Sequence, residues 1–387
     1  MANVLTSLAA DIYKAADIVG RELTGFIPSV TINAGSERVA KDDTVRSHFT
    51  RAQTVNTTFA PAMTIPEGTD QTVDNKTMTM DSYASVQIPY TGEDIKHLRN
   101  GAGFETVYGD QIKQAFRTCA NKIENALALA AYKASSRAYG TAGTTPFASN
   151  FNEIPQLRKI LADNGCPFDG QLSIVMDTSA GAALRSLAQL QKANEAGGTE
   201  MLRQGTLLDI QGFMLKESGQ IATHTKGTGA SATTDNTGYA VGSSTLTLAS
   251  AGTGTILSGD IVTFAGDTAN KYVINTGDSD VSNGGTIVLG TPGIRVAMSA
   301  ATKAITVGNS YTPNVAFHKA AIELAIRPPA QPNGGDAAVD VMIVQDPWSG
   351  LTFEIAVYKG YMKTMIEVRC LYGIKVWKPD FVATLIG

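Results

Sequence analysis

The feature that most constrains the fold is a long polar segment between residues 45 and 90 that ends in strict alternation. From Lys76 to Pro89, small and apolar side chains occupy every second position, which predicts a β-strand with one buried face. Those positions are Met78, Met80, Ser82, Ala84, Val86 and Ile88. The run from Val45 to Arg51 can pair with this strand across the turn-rich stretch PAMTIPEGTDQTVDNK. A long hairpin with a mostly polar tip cannot bury itself, so we expect it to lie on another surface.

Two amphipathic helices are predicted from apolar residues that recur at spacings of three and four. The first spans residues 3–23, with Asp11, Asp17 and Glu22 outside its apolar stripe, and is expected to pack on a separate surface. The second spans residues 104–137. Its stripe consists of Ile112, Phe116, Cys119, Ile123, Leu127 and Ala130, with Lys113, Arg117, Lys122 and Glu124 beside or opposite it. At about 1.5 Å per residue, this helix is a rod roughly 50 Å long.

From residue 151 the pattern is that of an α/β domain. A helix from Glu153 to Asn164 precedes a strand from Gln171 to Asp177. A second helix follows, with Thr178 or Ser179 as its predicted N-cap, and runs to about Ala193.

The composition changes sharply between Lys226 and Asn309, where Gly, Ser and Thr dominate. Short β runs separated by turn residues predict a small all-β module. The runs are Ser244–Leu248, Asp260–Ala265, Lys271–Asn275, Thr286–Leu289 and Ala304–Val307. The flanking stretches QGFMLKES and NVAFHKAAIELAIRP are not of this type, so the module is predicted to be inserted into the α/β domain. From Val339 onward, further strand patterns predict a closing antiparallel sheet.

Composition narrows the class of protein without deciding it. The 387 residues are 43% hydrophobic and 17% charged, against about 25% charged in typical globular domains. A subunit whose surface is covered by neighbours needs little charge, and a β-rich secreted domain shows the same composition. The net charge of -4 lacks the basic footprint of a DNA reader. No signal-peptide pattern or membrane-span length is present, which predicts a protein made in the cytosol.

The sequence lacks the common motifs of catalysis and metal binding. It contains no G-x-S-x-G elbow, Walker loop, H-E-x-x-H or complete G-x-G-x-x-G. The histidines stand singly, at His48, His97, His224 and His318, and the cysteines are Cys119, Cys166 and Cys370. We therefore expect hydrogen-bonded or surface histidines, no disulfide framework, and no catalytic residue, cofactor or metal. Asp278 and Asp280 are predicted to lie in a solvated loop rather than on calcium, and Thr91 with Asp94 forms a helix-start pattern.

Blocks of sequence in the second half of the chain carry a resemblance to a known family. They are MLRQGTLLDIQGFMLKES leading into HTKGTG, GDIVTFAG followed by ANKYVIN, NVAFHKAAIELAIRPP, and VRCLYGIKVWKPDFVATL. In this order they resemble the coat protein family of Salmonella-type short-tailed phages, from about residue 200 to the end. Over the N-terminal half the resemblance rests on the layout of arm, extended loop and long helix.

The resemblance implies an α+β chain with the Hong Kong-type phage capsid fold and an inserted small, barrel-like, all-β domain. The implied parts are an N-terminal arm (1–30), an extended loop (about 45–90) and a peripheral domain with a spine helix (104–137) within 31–149, the axial domain (150–225 and 310–345), the inserted β accessory domain (226–309) and the closing strands (346–387). In relatives the accessory domain assists folding and steadies contacts between capsomers.

The function implied by the resemblance is that of a major capsid protein of a tailed, double-stranded-DNA bacteriophage, which is not an enzyme. Copies are expected to form pentamers and hexamers of an icosahedral shell, assembled in the bacterial cytoplasm and retained in the virion. Other expected partners are a portal protein, a decoration protein and packaged DNA bound without sequence specificity, with no membrane. Because no internal scaffolding segment precedes the arm, a separate scaffolding protein is also expected.

Charged residues of the arm and loop are the candidate assembly contacts. They are Asp11, Asp17, Arg46, Arg51, Glu67, Asp70 and Lys76. Some members of the fold weld neighbours through a Lys–Asn bond, and Lys76 lies in the appropriate loop, but no asparagine follows Asn333. The main alternative is a secreted or surface adhesive β-rich protein, against which the missing export pattern and unpaired cysteines count. A hydrolase with a β accessory domain is a further alternative that lacks a nucleophile–base pair.

Overall fold

The computed structural model describes residues 22–50, 55–56, 59–65, 73–100, 104–191, 207 and 209–387. The strands are β1 (Thr31–Ala34), β2 (Thr44–Thr50), β3 (Val73–Thr79), β4 (Ser82–Thr91), β5 (Arg137–Gly140), β6 (Leu172–Met176), β7 (Phe213–Glu217), β8 (Thr245–Leu248), β9 (Ile261–Phe264), β10 (Asp267–Thr276), β11 (Gly285–Leu289), β12 (Ile305–Val307), β13 (Pro313–His318), β14 (Ile322–Arg327), β15 (Ala338–Gln345), β16 (Thr352–Gly360), β17 (Lys363–Val376) and β18 (Val382–Ile386). The α-helices are α1 (Gly92–Asn100), α2 (Phe104–Lys133), α3 (Glu153–Asp163), α4 (Thr178–Ser186) and α5 (Ala188–Gln191).

The long helix α2 packs on one face of a six-stranded sheet. The sheet has the order β1-β14-β17-β16-β15, with β4 also paired to β17. Strand β17 is antiparallel to β4, β14 and β16, which confirms the predicted antiparallel pairing of the closing strands. One hydrophobic core joins the helix to the sheet through Phe116, Cys119, Ile123, Leu127, Ile366, Val368 and Cys370. The predicted apolar stripe of the long helix is therefore its buried face.

A second sheet of ten strands carries the α/β part of the chain. Its main path is β12-β9-β10-β5-β18-β13-β6-β7. Helices α3 and α4 bury Leu157, Leu161, Ala180 and Leu184 together with Ile174 and Met176 of β6. The last strand, β18, lies between β13 and β5. The closing segment thus contributes to both large sheets.

The Gly/Ser/Thr-rich module has its own hydrophobic core, and every fully buried member of that core lies between Ala232 and Ile305. All five β runs expected from the sequence are present as β8 to β12. The largest difference is in β10, which begins at Asp267 rather than Lys271 and has an irregular register with β9. Strand β10 also pairs with β5, so the sheet continues from the module into the rest of the chain.

The alternating segment from Lys76 to Pro89 forms parts of two strands, so the single strand expected there is wrong. Strand β3 pairs with β2, as expected for the run that begins at Val45, whereas β4 pairs with β17. The partner changes around Met80, whose N–H donates to Asp43 O and whose carbonyl accepts from Asp42 N–H. The alternation of buried and exposed side chains continues through the change of partner, as the buried positions Met78, Met80, Ala84 and Ile88 show.

The long helix ends at Lys133, four residues before the predicted end at 137. Ser135 donates its hydroxyl hydrogen bond to Tyr132 O at 3.0 Å, and Ser136 donates to Val382 O at 2.8 Å. Serine hydroxyls that bind nearby backbone carbonyls compete with helical pairing. The chain then enters β5, which pairs with β18.

The predicted caps of two shorter helices differ in outcome. Thr91 and Asp94 form a reciprocal capping box, with N–H to side-chain oxygen distances of 2.9 and 3.2 Å, as predicted. For α4, the predicted cap at Thr178 or Ser179 is wrong. Asp177 is the N-cap, and its carboxylate accepts from the backbone N–H groups of Ser179 and Ala180. An aspartate that directly follows a strand can satisfy these otherwise unpaired donors.

The predicted helix at 3–23 lies outside the described residues, except for Glu22 and Leu23, which are not helical. Glu22 forms an ion pair with Arg117 of α2 and accepts from Asn121 Nδ2 at 2.6 Å. The hydrogen bonds from Arg117 lower the pKa of Glu22 to about 2. These contacts hold the incoming chain on the long helix.

Glu124 fixes the next turn of the chain. Its fully buried carboxylate accepts from the backbone N–H groups of Gly25, Phe26 and Ile27 at 2.6, 2.8 and 2.9 Å. Burial raises the pKa of Glu124, and the backbone hydrogen bonds act against that rise. The sequence pattern placed this residue beside or opposite the apolar stripe, whereas the fold uses it as a buried anchor.

Candidate functional site

Two depressions on the described part of the chain measure about 220 and 290 Å³, below the range of roughly 300–1,000 Å³ usual for ligand pockets. No group of three His, Cys, Asp or Glu side chains in these ranges could hold a metal ion. Burial raises the pKa of the Cys119 and Cys166 thiols to about 11, which keeps them protonated at neutral pH. Within the same part of the chain, no helix combines the length and apolarity needed to cross a membrane.

Two of the histidines have carboxylate partners that the sequence spacing did not indicate. His224 Nε2 lies 2.9 Å from Asp260 Oδ1, and His318 Nε2 lies 3.0 Å from Asp169 Oδ1. Both histidines are buried, so the prediction of hydrogen-bonded histidines is confirmed for them. The first pair lies where the Gly/Ser/Thr-rich module joins the rest of the chain.

The strongest candidate for a functional site is the hairpin of β2 and β3, which forms a two-stranded sheet of its own. The described residues between the strands carry large apolar side chains in open solvent. Val55, Phe59, Met63 and Ile65 are each at least 81% exposed. A two-stranded hairpin is marginally stable alone, and clustered exposed apolar groups mark interaction surfaces. The arrangement is that of a segment built to contact another surface.

The root of the hairpin is anchored firmly although its tip is exposed. A small core joins Met78 and Met80 to Ala325 and Leu371 of the six-stranded sheet, with Val39, Val45 and Trp377 packed against it. Lys76 Nζ donates to Trp377 O at 3.4 Å. The anchored root gives the outer part of the hairpin a defined starting direction.

A charged network holds the segment that leads into the hairpin. Arg38 Nη2 lies 2.6 Å from Glu354 Oε2, while Arg369 Nη2 lies 2.6 Å from Oε1 of the same carboxylate. Asp336 pairs with Arg369 at 3.2 Å, and the hydrogen bond from Tyr358 OH lowers the pKa of Asp336. Glu354 is fully buried, so removal of either arginine would weaken the compensation of a buried charge.

The predicted contact residues are only partly visible. Arg46 and Lys76 lie on β2 and β3, where Arg46 is paired with Thr77 and Lys76 with Ser47. Asp11, Asp17, Arg51, Glu67 and Asp70 lie outside the described residues. The structure thus places two of the predicted residues on the hairpin, and the predicted set as a whole stays a prediction. Asp280, considered for calcium, instead caps the 3-10 turn Val281–Asn283.

Sequence reasoning missed a second set of exposed apolar side chains on the six-stranded sheet. Tyr361 and Met362 form the turn between β16 and β17, and Trp348 lies in the turn between β15 and β16. Strand β15 terminates the sheet path and exposes Val339, Met342 and Ile343. An open strand edge with exposed apolar side chains is a template for pairing. The sequence YKGYMK contained a signal for this exposed set, because two large apolar residues occupy a tight turn there.

Comparisons with known proteins identify the fold. No protein-family model and no curated protein matches the chain. A solved structure of Mycobacterium phage Che8 aligns with 100% of this chain and 98% of its own, with a TM-score of 0.51 and 15% identity. The capsid structure of the Cyanophage P-SCSP1u aligns with 99% of this chain and 92% of its own, with a TM-score of 0.51 and 11% identity. The chain has the Hong Kong-type phage capsid fold.

The phage capsid fold confirms the fold class expected from the sequence. Because both alignments cover nearly the whole chain, the likeness is not confined to one sheet.

Proposed function

We propose that this chain is the major capsid protein of a tailed, double-stranded-DNA bacteriophage, with a structural rather than a catalytic role. The observation that carries the proposal is the full-length likeness to the capsid of the Cyanophage P-SCSP1u. The exposed apolar residues of the hairpin agree with this proposal, because such clustered groups mark a surface that contacts another molecule. The proposed location is the virion, after assembly in the bacterial cytoplasm.

The proposed partners are first of all other copies of the chain, in pentamers and hexamers of an icosahedral lattice. A repeated contact between unlike surfaces closes into rings, and such rings can tile a shell. In this proposal the β2–β3 hairpin lies over a neighbouring subunit. The turn at Tyr361 and Met362 and the edge strand β15 offer further contact surfaces, because both expose apolar groups.

The proposed division into domains follows the resemblance found in the sequence. It assigns 1–30 to an arm, 31–149 to the extended loop and peripheral domain, 150–225 and 310–345 to the axial domain, 226–309 to an accessory domain and 346–387 to closing strands. The separate core between Ala232 and Ile305 supports the accessory domain. The second axial segment supplies β13 to the ten-stranded sheet and β14 and β15 to the six-stranded sheet.

A closer relationship to the coat proteins of Salmonella-type short-tailed phages is part of the proposal. It is supported by the four sequence blocks in the second half of the chain and by the position of the β module among them. A separate scaffolding protein, a portal protein, a decoration protein and packaged DNA are the other proposed partners. The net charge of -4 suits a wall that encloses DNA without gripping it. The predicted charged residues of the arm and hairpin, from Asp11 to Lys76, are proposed assembly contacts.

The test is to express the chain in bacteria, alone and together with its neighbouring phage genes, and to examine cleared lysates by gradient sedimentation and electron microscopy. Closed shells, or tubes and spirals in the absence of a scaffold, are the expected result. A monomer or dimer under all of these conditions would contradict the proposal and return attention to an adhesive protein. Turnover of a substrate without any large particle would favour a hydrolase.

A further inference from the structure

The chain enters and leaves the Gly/Ser/Thr-rich module through a neck of two paired connections, in addition to the β5–β10 pairing. The chain enters the module after His224 and leaves it before Tyr311, and these two residues exchange both backbone hydrogen bonds, at 2.8 and 3.2 Å. Lys226 N–H also donates to Ser310 Oγ at 3.2 Å across the neck. The two connections are therefore paired with each other where they cross into the module.

The strand pair β9–β10 forms a wall that serves two hydrophobic cores. Residues of one face, Val262, Phe264, Tyr272 and Ile274, belong to the core of the module. Ile261 and Val273 point to the opposite face and belong to the core that contains Tyr132 of the long helix α2. Because successive side chains of a strand alternate between faces, the same two strands hold both cores together.

A buried carboxylate connects the neck to this wall. Asp260, directly before β9, accepts from His224 Nε2 at 2.9 Å, from Gly227 N–H at 3.0 Å and from Leu257 N–H at 2.8 Å. Its side chain is fully buried. A buried carboxylate needs several donors, and here they come from the neck and from the turn that leads into β9.

The long helix completes the cluster. Tyr132 OH lies 3.2 Å from His224 Nδ1. The imidazole therefore bridges the Asp260 carboxylate, at Nε2, and the Tyr132 hydroxyl, at Nδ1. Gly259 adopts a positive φ of 98°, and a Cβ atom there would lie 2.7 Å from Tyr132 Cε2 and 3.0 Å from His224 Cε1. Tyr311 OH donates to Gly259 O at 2.7 Å, which closes the contact.

We propose that Tyr132, His224, Asp260 and Tyr311 form a clamp that makes the module and the C-terminal end of α2 open as one cooperative unit. The shared wall supplies the apolar contact, and Asp260 ties the neck to that wall. A change in the position of the helix end is thereby transmitted to the module instead of being absorbed by a flexible neck. The clamp lies within one subunit, so the proposal does not depend on the proposed capsid function.

The test is hydrogen exchange followed by mass spectrometry on the full chain in dilute urea. It compares peptides from β9 and β10 with peptides covering Leu127–Lys133 of α2. In Asp260→Asn the amide NH2 group would face the Gly227 N–H and, depending on its orientation, either His224 Nε2 or the Leu257 N–H. We expect exchange in β9 and β10 to rise at least about tenfold relative to the helix end, because hydrogen bonds to a charged group are lost. In the unchanged chain the two segments should open together.

Asp235→Asn is the matched control. Asp235 is also an aspartate of the module, but it accepts from Thr237 and Tyr239, outside β9, β10 and the neck. In this variant β9, β10 and the helix end should still open together. Equal shifts in Asp260→Asn, or a separation of the two segments in Asp235→Asn, would overturn the clamp.

A milder variant keeps the test decisive if Asp260→Asn does not fold. Tyr132→Phe removes one hydroxyl group and leaves the ring packing in place. We expect it to separate the two segments by about threefold, the effect of one neutral hydrogen bond. Exchange that stays coincident in Tyr132→Phe would count against the proposal, whether or not the chain forms large particles.

Discussion

Glu124 shows how one side chain decides where the N-terminal part of the chain joins the rest of the molecule. Its carboxylate accepts from the backbone N–H groups of Gly25, Phe26 and Ile27, which lead into the 3-10 turn Ile27–Ser29. An acidic residue on an amphipathic helix is usually solvated, so the helical pattern alone gave no reason to bury it. The sequence carries no signal for the burial of Glu124, because its three hydrogen-bond donors are backbone groups, which every sequence has.

The anchor predicts the effect of replacing Glu124 with glutamine. The amide keeps one acceptor oxygen and turns a donor group toward backbone donors, so we expect a loss of about 2–3 kcal/mol in the free energy of unfolding. Urea unfolding followed by tryptophan fluorescence measures this difference. Lys122→Gln, at an exposed position of the same helix, is the control and should be nearly neutral. Equal stability of Glu124→Gln and the unchanged chain would contradict the anchoring role.

The ion pair between Glu22 and Arg117 predicts a dependence on pH. The pKa of Glu22 is about 2 in the folded chain, below its ordinary value of 4.5. A lowered folded pKa means that the stabilisation is complete above pH 4.5 and disappears as the pH falls toward 2. Arg117→Gln should therefore cost about 1 kcal/mol near neutral pH and almost nothing at pH 2. Urea unfolding between pH 2 and pH 7 measures this cost in the free energy of unfolding, and Lys113→Gln is the control. A cost of Arg117→Gln that does not change with pH would contradict the role of the ion pair.

At the scale of elements, the β2–β3 hairpin combines what the sequence could and could not predict. Alternation in residues 76–89 correctly indicated that Met78, Met80, Ala84 and Ile88 are buried, because the period of two persists through both strands. Ser82 and Val86, on the same predicted face, are only partly buried. It could not show that the pairing partner changes around Met80, since the partner strands β2 and β17 lie far apart in the sequence. The strands of the Gly/Ser/Thr-rich module were predicted well, because turn residues that are local in the sequence set their boundaries.

The contact chemistry of the candidate site remains a prediction. The sequence indicated that residues 45–90 should lie on another surface, with charged residues as its contacts. The structure adds exposed apolar groups at the described part of the tip, including Phe59 and Ile65. Hydrophobic side chains are normally assigned to a core, and only the fold shows that these have none.

The exposed tip leads to a prediction that separates folding from association. Replacing Phe59 and Ile65 together by serine should leave the unfolding free energy within about 0.5 kcal/mol, because both side chains are already in solvent. Assembly into sedimenting particles should fall at least severalfold, since apolar area would no longer be buried between subunits. Val241→Ser, at an exposed apolar position in the module, is the control for general surface effects. Unchanged particle yield in the double variant would show that the tip is not a contact.

At the scale of the whole molecule, the two large sheets share the final part of the chain. Strand β17 runs through the centre of the six-stranded sheet, and β18 lies inside the ten-stranded sheet next to β5. The six-stranded sheet is complete only with β17, and the ten-stranded sheet only with β18. Such long-range pairing slows folding and leaves strand edges open until it is complete. A module with mostly local contacts can fold earlier and then support the rest of the chain.

Removal of residues 226–309, with the ends joined by a short Gly/Ser linker, should impair folding of the rest of the chain. The deletion takes Ile261 and Val273 out of the core around α2 and leaves β5 without its partner β10. We expect less soluble protein and less uniform particles, measured by fractionation, sedimentation and electron microscopy, while the strands of the six-stranded sheet persist.

A companion variant identifies the cause of the loss. In the full chain, Ile261→Ala with Val273→Ala should reproduce part of the effect, at roughly 2–4 kcal/mol for the larger truncation. Val262→Ala faces the core of the module instead and should weaken the module first. If the deletion variant gave normal yields of uniform, stable shells, the shared wall would have no role in folding, and the rest of the chain would fold and assemble without the module.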